Sequence, residues 1–166
     1  MVLGNDLCSE NKLDGGDTLV AIDTSGAWWV GSSPGDIEEY LRAYSANGYP
    51  TTLFRLAVCG CGSETFRLEA DDDEGVARRT CVKCGEAHFI CDSGEYWGDA
   101  TPETFTCVEC EDTNCNVGVA FALYDDSPSA IKWLYVGERC AGCGVLGCMA
   151  GWKVGLDDAL HLLDQV

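Results

Sequence analysis

Arg79-Thr80-Cys81-Val82-Lys83-Cys84-Gly85 and, further along, Glu138-Arg139-Cys140-Ala141-Gly142-Cys143-Gly144 are two versions of one phrase. Each places two cysteines three positions apart and follows them with a glycine, a tight knuckle that can present both thiolates to one ion. Each also has an upstream partner. Cys107-Val108-Glu109-Cys110 precedes Cys140 by a gap of 29 residues, and Cys59-Gly60-Cys61 precedes Cys81 by a gap of 19. The longer gap holds two strand-like runs, 117–124 and 131–136, joined by Asp125-Asp126-Ser127-Pro128-Ser129. A hairpin of that kind returns the second knuckle to the first. The shorter gap has strand-like 65–69, a polar turn at 71–75 and 76–79. Its first pair is one residue short of the usual knuckle, and Gly60 and Gly62 supply the backbone freedom for a tighter turn.

Twelve cysteines in 166 residues suit either a disulfide framework or metal sites. The first six residues, Met1-Val2-Leu3-Gly4-Asn5-Asp6, lack a basic n-region and apolar h-region, so a cytoplasmic location is expected. In a reducing compartment closely paired cysteines serve as metal ligands or redox groups rather than structural disulfides. A thioredoxin-like centre needs a strand feeding a long helix that carries the motif, which these glycine-rich, strand-flanked knuckles do not provide. A catalytic zinc keeps an open position beside three protein ligands. Two complete sets, Cys59, Cys61, Cys81 and Cys84, then Cys107, Cys110, Cys140 and Cys143, instead describe two structural four-cysteine sites.

Knuckles, hairpins and repeat together resemble the zinc-ribbon superfamily over about 59–148, roughly half the chain. The resemblance implies three-stranded sheets with a zinc ion between paired knuckles, hence two structural zinc ions. It leaves function open, because ribbons occur in transcription factors, ribosomal proteins, enzyme subdomains and small bacterial proteins alike. The overall plan looks like small bacterial tandem zinc-ribbon proteins, a class that includes candidate toxin-immunity factors.

Outward from the knuckles, residues 1–17 carry turn formers and charge without periodicity and are expected to be a flexible arm. Residues 18–23 and 27–30 read as a hairpin around Thr24-Ser25-Gly26. A helix follows, with Ser33 as N-cap, Pro34 in its first turn and Asn47-Gly48 as its stop, and with Ile37, Tyr40, Leu41 and Tyr44 on one face. Residues 51–58 then form a strand leading to Cys59. At the other end Leu156, Ala159, Leu160 and Leu163 share a helical face, with Asp157 and Asp158 in the first turn. The expected fold is α+β and mostly β. It comprises the arm, a hairpin-helix-strand module at 18–58, ribbon 1 at 59–91, an acidic connector at 92–106, ribbon 2 at 107–150 and a C-terminal helix at 151–166.

Formal net charge is −18, from 28 acidic and 10 basic residues. Such a field disfavours nucleic acid and anionic membrane surfaces, and no apolar run approaches the ~20 residues of a bilayer span. Arg78, Arg79, Lys83 and Arg139 are the basic residues near the knuckles, and a nucleic-acid-binding ribbon would have to use them. From Gly85 to Ile131 there is no Lys or Arg, and ten acids are present. Within that interval Glu95, Tyr96, Trp97, Asp99, Glu103 and Phe105 combine charge with aromatic anchors, a composition suited to a basic protein partner. A solvated linker with its aromatics tucked against a ribbon, and acidity serving solubility or salt adaptation, explain the same residues equally well. No catalytic group stands out, so a non-catalytic interaction protein is expected, for example an inhibitor or immunity factor covering a basic surface. His88 and His161 are read as structural or surface residues. Cys8, Cys91, Cys115 and Cys148 are read as buried apolar thiols, although the five-residue offsets of Cys115 from Cys110 and Cys148 from Cys143 would allow those two to meet.

Overall fold

The computed structural model describes residues 22–155 and 157–166. The expected arm, Cys8, residues 18–21 of the expected hairpin and Leu156 lie outside them. Strand β1 (Ile22–Asp23) pairs antiparallel with β2 (Val30–Gly31), in the register Ile22↔Gly31. The connection is therefore wider than the three residues expected. Asp23 Oδ1 accepts from the backbone N–H and the hydroxyl of Ser25, a local turn that bends the chain early. Trp29 is meanwhile drawn away to an edge-on contact with Tyr40, ring centroids 5.8 Å apart.

Helix α1 runs Asp36–Ser45, slightly shorter at each end than the punctuation suggested. Ser33 does not cap it through its hydroxyl. The Asp36 carboxylate reaches back instead, accepting from the Ser32 and Ser33 N–H groups at 2.7 and 3.0 Å, which is the returning half of a capping box. Of the predicted apolar face, Ile37 and Leu41 are fully buried, Tyr40 is half-buried and Tyr44 lies at the margin.

Among the described residues all other strands belong to one eight-stranded sheet: β3 (Leu53–Leu56), β4 (Phe66–Asp71), β5 (Val76–Cys81), β6 (Ala87–Phe89), β7 (Glu103–Thr104), β8 (Cys115–Leu123), β9 (Ile131–Cys140) and β10 (Leu146–Lys153). The order is β10-β9-β8-β4-β5-β6, with β3 on β8 and β7 on β4. Both hairpins inferred from the cysteine gaps are present, as β4–β5 and β8–β9. They are joined edge to edge where Phe66 pairs with Cys115, so the two cysteine groups share one sheet. The linking segment is also tied down: Thr101 N–H donates to Asp71, Thr104 pairs with Glu69, and Phe105 N–H donates to Leu68 O.

The sheet buries side chains on both faces. One face holds Phe66, Leu68, Val117, Val119, Phe121, Leu134 and Val136 together with buried knuckle cysteines. The other packs Ile22, Ala120, Tyr135 and Leu146 against Ile37 and Leu41 of α1.

Among the described residues the expected C-terminal helix does not form. Residues 151–153 complete β10, where Gly151 and Trp152 pair with Tyr135 and Leu134. Beyond them Asp158 bridges Ala130, and Ala159 N–H donates to Ser129 O. Backbone groups that a first helical turn would use are thus taken by the β8–β9 connection, leaving only a 3₁₀ turn at Leu160–Asp164. The apolar periodicity still serves burial, since Ala159, Leu162 and Leu163 enter the core while Leu160 stays exposed. Among the described residues no helix is long and apolar enough to cross a membrane.

Candidate metal centres

Every knuckle is closed by the same pair of backbone hydrogen bonds. The N–H groups of Gly85, Glu111 and Gly144 donate to the carbonyls of Cys81, Cys107 and Cys140 at 2.9, 3.0 and 2.9 Å. The N–H groups of those three cysteines in turn donate to the carbonyls of Glu86, Asp112 and Val145, each at 2.9 Å. The short knuckle makes the same closure one residue earlier: Gly62 N–H donates to Cys59 O, and Cys59 N–H to Ser63 O. The residue after the second cysteine has positive φ in all four, Gly62 at 93°, Gly85 at 80°, Glu111 at 64° and Gly144 at 84°. That explains glycine at three of these positions. Glu111 adopts the same backbone without glycine's freedom.

The closures aim the sulfurs inward. Sγ atoms of Cys59 and Cys84 lie 3.5 Å apart and those of Cys61 and Cys81 3.7 Å. In the second group Cys107 and Cys143, and Cys110 and Cys140, are each 3.5 Å apart. Within each group of four all the Sγ atoms fall within 4.8 Å of one another. A disulfide would bring two of them to about 2.05 Å, and all eight are free thiols. A tetrahedral ion with metal–sulfur bonds of about 2.3 Å separates its ligands by ~3.8 Å, close to the spacing found here. Both groups can therefore hold a metal ion, and the eight cysteines expected from the spacing are the eight brought together.

Backbone donors also polarise the first cysteine of each Cys-x-x-Cys knuckle. Lys83 N–H points at Cys81 Sγ at 3.4 Å, Glu109 N–H at Cys107 Sγ at 3.4 Å and Gly142 N–H at Cys140 Sγ at 3.3 Å. At Cys81 donation from the Cys84 N–H outweighs desolvation and holds the thiol down at about 6. Burial opposes ionisation of Cys107, but the N–H groups of Cys110 and Glu109 bring it to about 7. Burial wins at Cys140 and raises it. Donors of this type favour thiolate, the form that binds metal.

The remaining described cysteines lie outside both groups. Cys115 pairs with Cys140 and is buried on the knuckle face. Cys148 pairs with Gly137 and packs on the α1 side. Successive strand residues point to opposite faces, so the two thiols are separated by the sheet and do not meet. Burial pushes Cys148 and Cys91 up to about 12. His88 sits on β6 opposite Arg79 and His161 is exposed; neither belongs to a four-cysteine group.

The acidic connector divides. Glu95, Asp99 and Glu103 are exposed, and Tyr96 is 49% exposed. Trp97 is half-buried, edge-on to Phe89 at 5.3 Å and beneath the Arg78 guanidinium at 4.7 Å. Phe105 is a core residue, so its ring is used for packing and is not a surface anchor.

Of the basic residues near the knuckles, Arg78 pairs with Glu69 at 2.7 Å. Arg79 donates to Val166 O, and Arg139 donates to Gly31 O and Asn116 Oδ1. Sequence reasoning missed Glu138, a buried carboxyl whose Oε2 has no hydrogen-bond partner. Its signal was its phase: it stands in step with Val136 and Cys140 in a strand whose inward positions are otherwise apolar or cysteine.

No family model, curated protein or solved structure matches the chain.

Proposed function

We propose that this protein is a zinc-stabilised, non-catalytic interaction module that binds a basic polypeptide. The observation that carries the metal half is the pair of four-cysteine groups, each closed by matching knuckles. All-thiolate donor sets of this spacing suit zinc, and four protein ligands leave no position for substrate. The partner half rests on charge. A net −18 and exposed Glu95, Tyr96, Asp99 and Glu103 along the connector favour steering of a cationic surface.

Against a nucleic-acid-binding ribbon stand the engagements of Arg78, Arg79 and Arg139 with groups of the protein itself. Counterion release needs basic side chains free to meet phosphate.

Affinity purification from the native host with mass spectrometry tests the reading. The expected result is enrichment of a basic protein whose retention falls as salt is raised and falls again when Glu95, Asp99 and Glu103 are neutralised. Salt-sensitive retention of DNA or RNA would instead favour the ribbon as a nucleic-acid binder.

A further inference from the structure

Beside the β10 edge lies a cavity of about 660 Å³ whose lining includes Cys107 of the second four-cysteine group and Tyr40 and Tyr44 of helix α1. Glu138 lines it. In register Glu138 stands between Val117 of β8 and Gly147 of β10. A Cβ at position 147 would collide with Glu138 Oε1, so glycine there leaves the carboxyl in its present position. Glu138 is 7% exposed, and its Oε2 is enclosed without a hydrogen-bond partner.

An enclosed, unpartnered carboxyl oxygen is costly, and an apolar side chain would fill the same strand position at no such cost. A ligand that drew the carboxyl toward the cavity and donated to it would account for it. The walls indicate its charge. Among the described residues none that lines the cavity is basic, and Glu103 adds a second carboxylate to the lining. Trp28 (46% exposed) and Tyr44 (55% exposed) present aromatic rings to the opening, and Tyr40 stacks on Tyr44 at 6.0 Å. Aromatic rings at the opening of a cavity that a buried carboxyl also lines are suited to a flat cation that can stack and donate at once, which is the chemistry of a guanidinium.

We propose that this cavity is the specificity pocket of the interaction surface and takes an arginine side chain of the basic partner, with Glu138 as its acceptor and Trp28, Tyr40 and Tyr44 as its walls. The proposal rests on the reading of the protein as a binder of basic polypeptides. It moves the specific contact from the connector to the β10 edge, with Glu103 common to both.

The test is an amide NMR titration of the full chain with the peptide acetyl-Ala-Gly-Arg-Gly-Ala-amide and with the same peptide carrying citrulline, which keeps the shape and loses the charge. Saturable shifts are expected at Gly147, Cys148 and the Trp28 indole, with citrulline bound about tenfold more weakly. Glu138→Gln should bind both peptides alike, and Tyr44→Ala, which alters an exposed side chain, should weaken the arginine peptide severalfold while zinc content is kept. Absence of saturable shifts, shifts confined to 92–103, or an unchanged preference for arginine in Glu138→Gln would overturn the assignment. Normal zinc without arginine preference would sink this inference alone, whereas arginine preference in a protein that binds no zinc would sink the zinc reading and leave the pocket standing.

Discussion

Gly118 and Gly137 face each other across the β8–β9 ladder, and helix α1 rests on both. A Cβ at Gly137 would lie 2.9 Å from Ile37 Cγ2 and 2.9 Å from Leu41 Cδ1, and one at Gly118 would lie 2.5 Å from the Phe54 ring. The missing side chains are what let the helix sit so low on the sheet. Gly137→Ala should therefore force α1 outward and cost about 1–3 kcal/mol, as overpacking does. Urea unfolding of zinc-loaded protein measures this, and a change below about 0.5 kcal/mol would mean that the helix does not depend on the glycine pair.

Glu111 repeats the φ of Gly62, Gly85 and Gly144 without being glycine. Left-handed backbone costs an ordinary residue about 1–2 kcal/mol, while glycine loses more entropy on folding. The balance predicts that Glu111→Gly is neutral or stabilises the zinc-loaded protein by up to about 1 kcal/mol. Thermal unfolding against the parent checks the sign. A clear loss of stability would show that the Glu111 side chain contributes something that outweighs its backbone strain.

Two cysteines of similar strand surroundings should behave differently. Cys140→Ser opens the second four-cysteine site, and structural zinc sites contribute on the order of 10 kcal/mol of binding free energy that counts as folding free energy. Cys148 lies outside both groups, so Cys148→Ser should cost no more than about 2 kcal/mol and keep full metal content. Comparable losses of metal from both variants would contradict the ligand assignment.

Thiol reactivity follows burial and protonation. Burial holds Cys91 and Cys148 up at about 12 and Cys115 well above the ordinary thiol range. Below that range each stays a protonated, poorly nucleophilic thiol, so at pH 8 all three should resist iodoacetamide in the zinc-loaded protein. Chelation should expose the knuckle cysteines first. Peptide mapping by mass spectrometry distinguishes this from rapid labelling of Cys148 before any metal is lost.

The four-cysteine groups were legible because knuckle spacing is local: Cys81 and Cys84 need only one turn to come together, and the strand patterns between knuckles imply the hairpins that bring pairs together. Helix α1 was legible from the period of Ile37, Tyr40, Leu41 and Tyr44. The C-terminal segment misled because Ala159 and Leu163 have helical spacing, while the Ala130–Asp158 bridge that holds the backbone extended joins distant parts of the chain. The edge-to-edge join at Phe66 and Cys115 is invisible for the same reason. Phe105 was misplaced because acidic neighbours surround it in sequence, whereas its partner in space is Leu68 of β4.

Zinc stoichiometry tests the central claim most directly. Protein purified without chelator should give two zinc ions per chain by native mass spectrometry and elemental analysis, and one after Cys140→Ser, with Cys59, Cys61, Cys81 and Cys84 retaining theirs. A reproducible value of one or none in the parent protein, with knuckle cysteines joined as disulfides, would contradict it.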